Sequence, residues 1–79
     1  MNIDFDWIRK VFEECFNLTD YEIFPNSEFE DVPGWDSLGH MKLISMLEEK
    51  LDLDFELEEI IGVDTAQKIF ELVKTKLIK

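Results

Sequence analysis

The sequence predicts an all-α fold, a small bundle of three long helices plus one short helix. Three observations carry this. Apolar residues recur at spacings of three and four along three separate stretches. Good helix-capping residues, Asp36 and Thr65, stand at the starts of two of them. No stretch reads as a convincing strand, although Tyr21-Glu22-Ile23-Phe24 suits a brief extended segment.

The first helix is expected from about Asp4 to Asn17. Its inward stripe is Phe5, Ile8, Val11 or Phe12, Cys15 and Phe16, and Asp4 and Asp6 complement the helix dipole at its start. Residues 18–36 read as a long loop, because Pro25, Asn26, Ser27, Pro33 and Gly34 interrupt regular structure. Ile23, Phe24, Phe29 and Val32 are expected to pin that loop to the core. A loop this long in so short a chain has a task of its own or is itself packed.

The second helix is expected to begin at Asp36 or Ser37 and to end near Leu51. Leu43, Met46, Leu47 and Leu51 make its apolar face, while Lys42, Glu48 and Glu49 point elsewhere. A linker from Asp52 to Phe55 follows, then a turn and a half of helix from Glu56 to Ile61, closed by Gly62. The last helix runs from the Thr65 cap to about Ile78, with Ala66, Ile69, Phe70, Val73 and Leu77 inward. Lys74, Lys76 and Lys79 crowd its C-terminal end, where cations are favoured.

With 79 residues, the chain reads as one domain spanning 1–79, near the lower size limit for independent folding. Seven Phe and two Trp supply buried area. The single cysteine, Cys15, excludes an internal disulfide framework and a CxxC metal knuckle, and it fits a core position in a reducing compartment. No apolar stretch is long enough for a bilayer, so membrane insertion is not expected. The start, Met-Asn-Ile-Asp-Phe-Asp, is acidic and unlike a signal peptide. The expected location is cytoplasmic. A net charge of −11 would repel nucleic acid and anionic membranes, and it suits partners with basic docking patches.

Asp36-Ser37-Leu38 holds the one plausible reactive centre. A hydroxyl just inside a helix N-terminus lies beside free backbone N–H groups and the positive end of the dipole, a setting that favours a phosphate on the oxygen. Taken alone, such a serine reads as a capping residue. Its context argues for more: a long loop precedes it, and Leu38 and Met41 are large apolar residues off the inner stripe, free to touch a partner or a tethered chain. His40, three residues on, invites a Ser–His nucleophile. No third orienting group or oxyanion feature accompanies it, so His40 is expected to be a surface or partner-facing residue. Asp52-Leu53-Asp54-Phe55-Glu56-Leu57 fails as a calcium loop, since the sixth position needs glycine and is Leu57. No metal site is expected.

The run Gly34-Trp35-Asp36-Ser37-Leu38-Gly39-His40-Met41 resembles the attachment motif of acyl carrier proteins, and the resemblance extends over nearly the whole chain, with Thr65-Ala66 opening the last helix at the family's distance. It implies an acyl-carrier-protein-like fold, a discrete non-catalytic carrier that is a monomer, and a covalent 4′-phosphopantetheine arm on Ser37. A phosphopantetheinyl transferase would transfer the arm from coenzyme A, with Asp36 helping to position the transferase's metal ion and the serine. An acyl-loading ligase or acyltransferase, and a ketosynthase or other acyl-using enzyme, would then use it. Partner docking is expected at Leu38, Met41, Glu48 and Glu49. A sequestered acyl chain would lie among Leu43, Met46, Leu47, Phe55, Ile60, Ile61, Ala66 and Ile69.

The chain also departs from the housekeeping members of that family. Gly39 and Lys42 stand where an acid is common, and Lys50 interrupts the acidic run. Trp35 replaces a small residue, so the docking surface reads as less acidic and more apolar around Ser37. This resembles a carrier dedicated to a specialised pathway: a polyketide, a modified lipid, or an acyl group for a surface glycan. A peptidyl or aminoacyl carrier fits less well, because the Gly-Gly-His-Ser type of motif is absent. A carrier-like helical interaction module without the arm is the other alternative.

Overall fold

The computed structural model describes residues 3–78, the side chain of Ile78 excepted; Lys79, expected at the last helix end, lies outside them. Four helices follow in order: α1 (Phe5–Phe16), α2 (Ser37–Leu51), α3 (Leu57–Ile61) and α4 (Ala66–Ile78). The bundle of three long helices and one short one is therefore as predicted, and α1 packs against both α2 and α4.

Local chemistry sets the ends. The Asp4 carboxylate accepts the Trp7 N–H at 3.0 Å, and Asn17 leaves α1 in the left-handed region at φ 56°. Both Val11 and Phe12 are buried, with Ile8 and Cys15. The Thr65 hydroxyl accepts the Lys68 N–H at 3.1 Å, as expected of a cap. Among the described residues no strand forms; one isolated antiparallel bridge joins Glu28 and Thr65.

That bridge is part of how residues 18–36 are held. The first N–H groups of a helix have no partner inside it. At α4 the loop supplies partners: Ala66 N–H donates to the Ser27 carbonyl at 3.0 Å and Gln67 N–H to the Pro25 carbonyl at 2.9 Å. Phe29 N–H returns a bond to the Asp64 carbonyl at 2.8 Å, and Arg9 Nε donates to the Ile23 carbonyl at 3.0 Å. Ile23 and Val32 are buried and Phe29 packs against the core, but Phe24 is exposed, contrary to expectation. It flanks the turn that aims the Pro25 and Ser27 carbonyls at α4, so its backbone position serves the cap and its ring faces outward.

The core joins α1, α2, α4 and the loop. Its largest fully buried side chain is Trp35, which meets Phe12 edge-to-face at 4.9 Å and Phe29 at 5.9 Å. Trp35 is thus a core residue and not part of an apolar docking surface. α3 is held differently. Glu56 and Glu59 form a capping box, Lys76 reaches Glu59 at 2.8 Å, and Ile60 is the one α3 side chain that is buried. Gly62 ends α3 at φ −92°, so the position makes no use of glycine's left-handed freedom.

Cys15 lies in the core as expected, and burial pushes its thiol above the ordinary range, with Lys42 pulling the other way and Glu14 adding to the rise. The thiolate is the reactive form. Iodoacetamide should therefore leave the folded chain unmodified at pH 8 and alkylate Cys15 once urea is added. Equal alkylation rates with and without urea would contradict this burial.

Candidate functional site

The head of α2 is built by a tight turn. Trp35 N–H donates to the Val32 carbonyl at 2.9 Å, and Glu30 N–H to the Trp35 carbonyl at 2.8 Å. Two residues in the left-handed region make this possible, Glu30 at φ 72° and Gly34 at φ 88°. Asp36 then enters extended, and its carboxylate caps the helix by accepting the Gly39 N–H at 2.9 Å. Its carbonyl accepts the His40 N–H at 2.7 Å. Ser37 is therefore the first residue of α2, exposed, on a backbone fixed from both sides.

Gly39 was legible only as a missing acid, and its role is steric. A Cβ there would land on the Gly34 carbonyl oxygen and 3.0 Å from the Phe16 ring. The loop backbone thus lies directly on the first turn of α2. An available signal was the glycine itself, since within a helical pattern it marks close backbone approach.

Leu38 and Met41 stand close to Ser37 in sequence and are 85% and 49% exposed, off the inner stripe as expected. On α3, Leu57 and Ile61 are 65% and 72% exposed. Ile61 therefore does not line the interior: Ile60 occupies the inward position, and its neighbour on so short a helix must face out. Of the other expected lining residues, Leu43, Leu47, Ile60, Ala66 and Ile69 are buried in one cluster, with Met46 and Phe55 packed at its edge. Glu49 is exposed. Glu48 is half-buried and is not a free docking acid, because its carboxylate accepts the Phe55 N–H at 3.0 Å and ties the 52–55 linker to α2.

His40 is also not the surface residue expected. The Trp35 indole N–H donates to His40 Nδ1 at 2.9 Å, and His40 Nε2 lies 2.8 Å from the Ile60 carbonyl. An indole nitrogen only donates and a carbonyl only accepts, so the proton of the neutral ring sits on Nε2. Both ring nitrogens are engaged away from Ser37, which removes the Ser–His nucleophile. Sequence alone hid this, since the Ile60 partner is remote along the chain.

An exposed hydroxyl at a rigid helix N-terminus, with the dipole's positive end beneath it, fits a phosphodiester. Neighbouring apolar side chains fit a partner or cargo. Among the described residues no helix is long and apolar enough to cross a membrane.

Comparison with known proteins agrees with that chemistry. The family model for the phosphopantetheine attachment site matches residues 6–73. An acyl carrier protein of Buchnera aphidicola subsp. Acyrthosiphon pisum (strain 5A) is 33% identical over 72 residues, covering 91% of this chain and 90% of that protein. One from Sulfurovum sp. (strain NBC37-1) is 36% identical over 72 residues, covering 87% and 96%. The solution NMR structure of a holo acyl carrier protein from Geobacter metallireducens superposes with a TM-score of 0.84 at 28% identity, covering 94% of this chain and 85% of that one.

Proposed function

Because the chain belongs to the acyl carrier protein family, whose cofactor is 4′-phosphopantetheine, we propose that it carries an acyl group as a thioester on an arm joined to Ser37. The observation that carries this assignment is the exposed Ser37 as first residue of a helix whose head is fixed by Asp36 and by the Gly39–Gly34 contact. In arm transfer, the Ser37 Oγ would form a bond to phosphorus and give up its proton, as the pyrophosphate link of coenzyme A breaks and adenosine 3′,5′-bisphosphate leaves. The arm's terminal thiol supplies the thioester. The chain's own part is to present the hydroxyl at a fixed point, to place the helix dipole under the phosphodiester, and to offer a face that acyl-handling enzymes recognise.

That face comprises Leu38 and Met41, and α3 adds two further exposed apolar side chains, Leu57 and Ile61. Its apolar character, and the lack of an acid at Gly39 and Lys42, support a carrier for a specialised pathway over bulk fatty-acid elongation. Its partners would be a phosphopantetheinyl transferase, an acyl-loading ligase or acyltransferase, and a ketosynthase or similar enzyme. The products would be a polyketide, a modified lipid or a surface-glycan acyl group.

Incubation with coenzyme A and a broad-specificity transferase should add one phosphopantetheine by intact mass, and Ser37→Ala should abolish the addition. An arm on Ser27 or Ser45, or none with several transferases, would overturn the assignment. Met41→Glu should leave helical circular dichroism unchanged and slow arm transfer or acyl loading about tenfold, equivalent to ~1.4 kcal/mol of lost contact. Unaltered rates would remove Met41 from the docking face.

A further inference from the structure

α3 is five residues long, too short to be stable without tertiary contacts. One of those contacts is unusual in reach: a hydrogen-bond chain runs from the loop, through α2, to the end of α3. The Trp35 indole N–H donates to His40 Nδ1, and His40 Nε2–H donates to the Ile60 carbonyl. The last carbonyls of a helix have no partner inside it, so His40 acts as a C-terminal cap supplied by another helix. We propose that Trp35 and His40 form a latch that fixes α3 against the head of α2, and that a hydrophobic group tethered at Ser37 enters the interior only when the latch releases.

The geometry makes the latch directional. Trp35 cannot follow α3 if it moves, because Phe12 and Phe29 hold the indole edge-on at 4.9 Å and 5.9 Å. His40 cannot rotate away without leaving the indole N–H unpaired in the core, where an unmade bond costs more than a made one contributes. Phe29 further confines the imidazole, edge-on at 5.7 Å. Ile60 is the only α3 side chain in the buried cluster with Leu43, Leu47, Ala66 and Ile69, and its carbonyl is the latch's acceptor. Moving Ile60 out therefore breaks the latch and opens that cluster in one event. His40 lies one turn beyond Ser37 on the same helix, so the control point is adjacent to the tether. The fixing of α3 stands on the hydrogen bonds alone; the control of cargo rests on the carrier reading of Ser37.

Trp35 and His40 are positioning residues by this account, and side-chain length separates that role from bulk stability. Glutamine at position 40 carries an amide N–H near the place of Nε2. Asparagine is one carbon shorter and reaches only the Trp35 side. On the chain without the arm, His40→Asn should raise amide hydrogen exchange over 57–62 about tenfold while amides of 43–47 keep their rates. His40→Gln should recover slow exchange in part, since its amide N–H meets the Ile60 carbonyl while the indole N–H loses its acceptor. Trp35→Phe, which keeps a buried ring and deletes the N–H, should repeat the asparagine result. Unchanged exchange in both disruptive variants, equal acceleration across all helices, or a glutamine variant that behaves like asparagine would each overturn the latch. On arm-bearing protein loaded with an octanoyl thioester, amide shifts should stay near Ser37 in the parent and spread over 43–69 in His40→Asn. The same shift pattern in both would overturn the control of cargo. Failure of Ser37 to accept the arm would instead overturn the carrier reading, and the exchange data would still decide the latch.

Discussion

Trp35→Ala should destabilise the chain by about 3–5 kcal/mol, the range for truncating a buried large aromatic residue. Native proteins are stable by only about 5–15 kcal/mol, and a chain of 79 residues belongs at the low end, so the variant should be largely unfolded near 37 °C. Several losses combine. The indole is fully buried and is the largest such side chain. Its removal leaves a cavity among Phe12, Phe29 and His40, and takes away the N–H that His40 Nδ1 accepts. It also empties the inner side of the turn that presents Ser37. Urea unfolding followed by far-ultraviolet circular dichroism reads the effect. Trp35→Phe should lose much less, because most of the buried ring remains. A loss below about 1 kcal/mol for Trp35→Ala would mean that the core collapses around the gap.

Gly39→Ala should also destabilise, by about 1–3 kcal/mol or more, against the intrinsic preference of a helix for alanine. On an exposed helix surface that exchange would stabilise by up to about 1 kcal/mol. Here the new methyl group meets the Gly34 carbonyl, which belongs to backbone, with the Phe16 ring 3.0 Å away on the same side. Backbone cannot rotate aside as a side chain does. The turn and the first residues of α2 must separate, and Asp36 and Ser37 move with them. Arm transfer should therefore fall at least about tenfold, beyond what the population of folded chain explains. Ser45→Ala, on an exposed position of the same helix, is the control and should stay within about 0.5 kcal/mol. A Gly39→Ala chain as stable and as readily modified as the parent would show that loop and helix are not in contact.

The long helices and the position of Ser37 were legible because they depend on local pattern. The stripe of Ile8, Val11, Phe12 and Cys15 has enough turns to fix its phase, and Asp36 ahead of an apolar run marks a helix start. What was misread depends on contacts across the chain. Trp35 faces inward because Glu30 and Gly34 take left-handed conformations in the turn before it, and nothing in the local pattern dictates that. Sequence does not tell Ile60 from Ile61, because five residues span too little of a helical period to fix which one faces inward. His40 reads as a surface residue because its two partners lie in the loop and at the end of α3, out of reach of local pattern. Glu48 reads as a docking acid in the sequence, although the Phe55 N–H it accepts comes from the linker that follows. These residues lie in the loop, on the short helix or on polar positions, where hydrophobic periodicity carries little information.

The bonds from Ala66 and Gln67 to the carbonyls of Ser27 and Pro25 also bear on how the chain reaches this fold. They join segments far apart in sequence, so closing them carries a loop entropy that α1 or α2 alone does not face. The first turn of α4 and the middle of the loop must become ordered together, since each supplies the other's backbone partners. Ser37 stands on α2, yet the loop that aims it is anchored on α4. A fragment ending before Thr65 would retain Asp36, Ser37 and the whole of α2, and would still lack the anchor that makes a serine in a flexible chain into a fixed point on a rigid one.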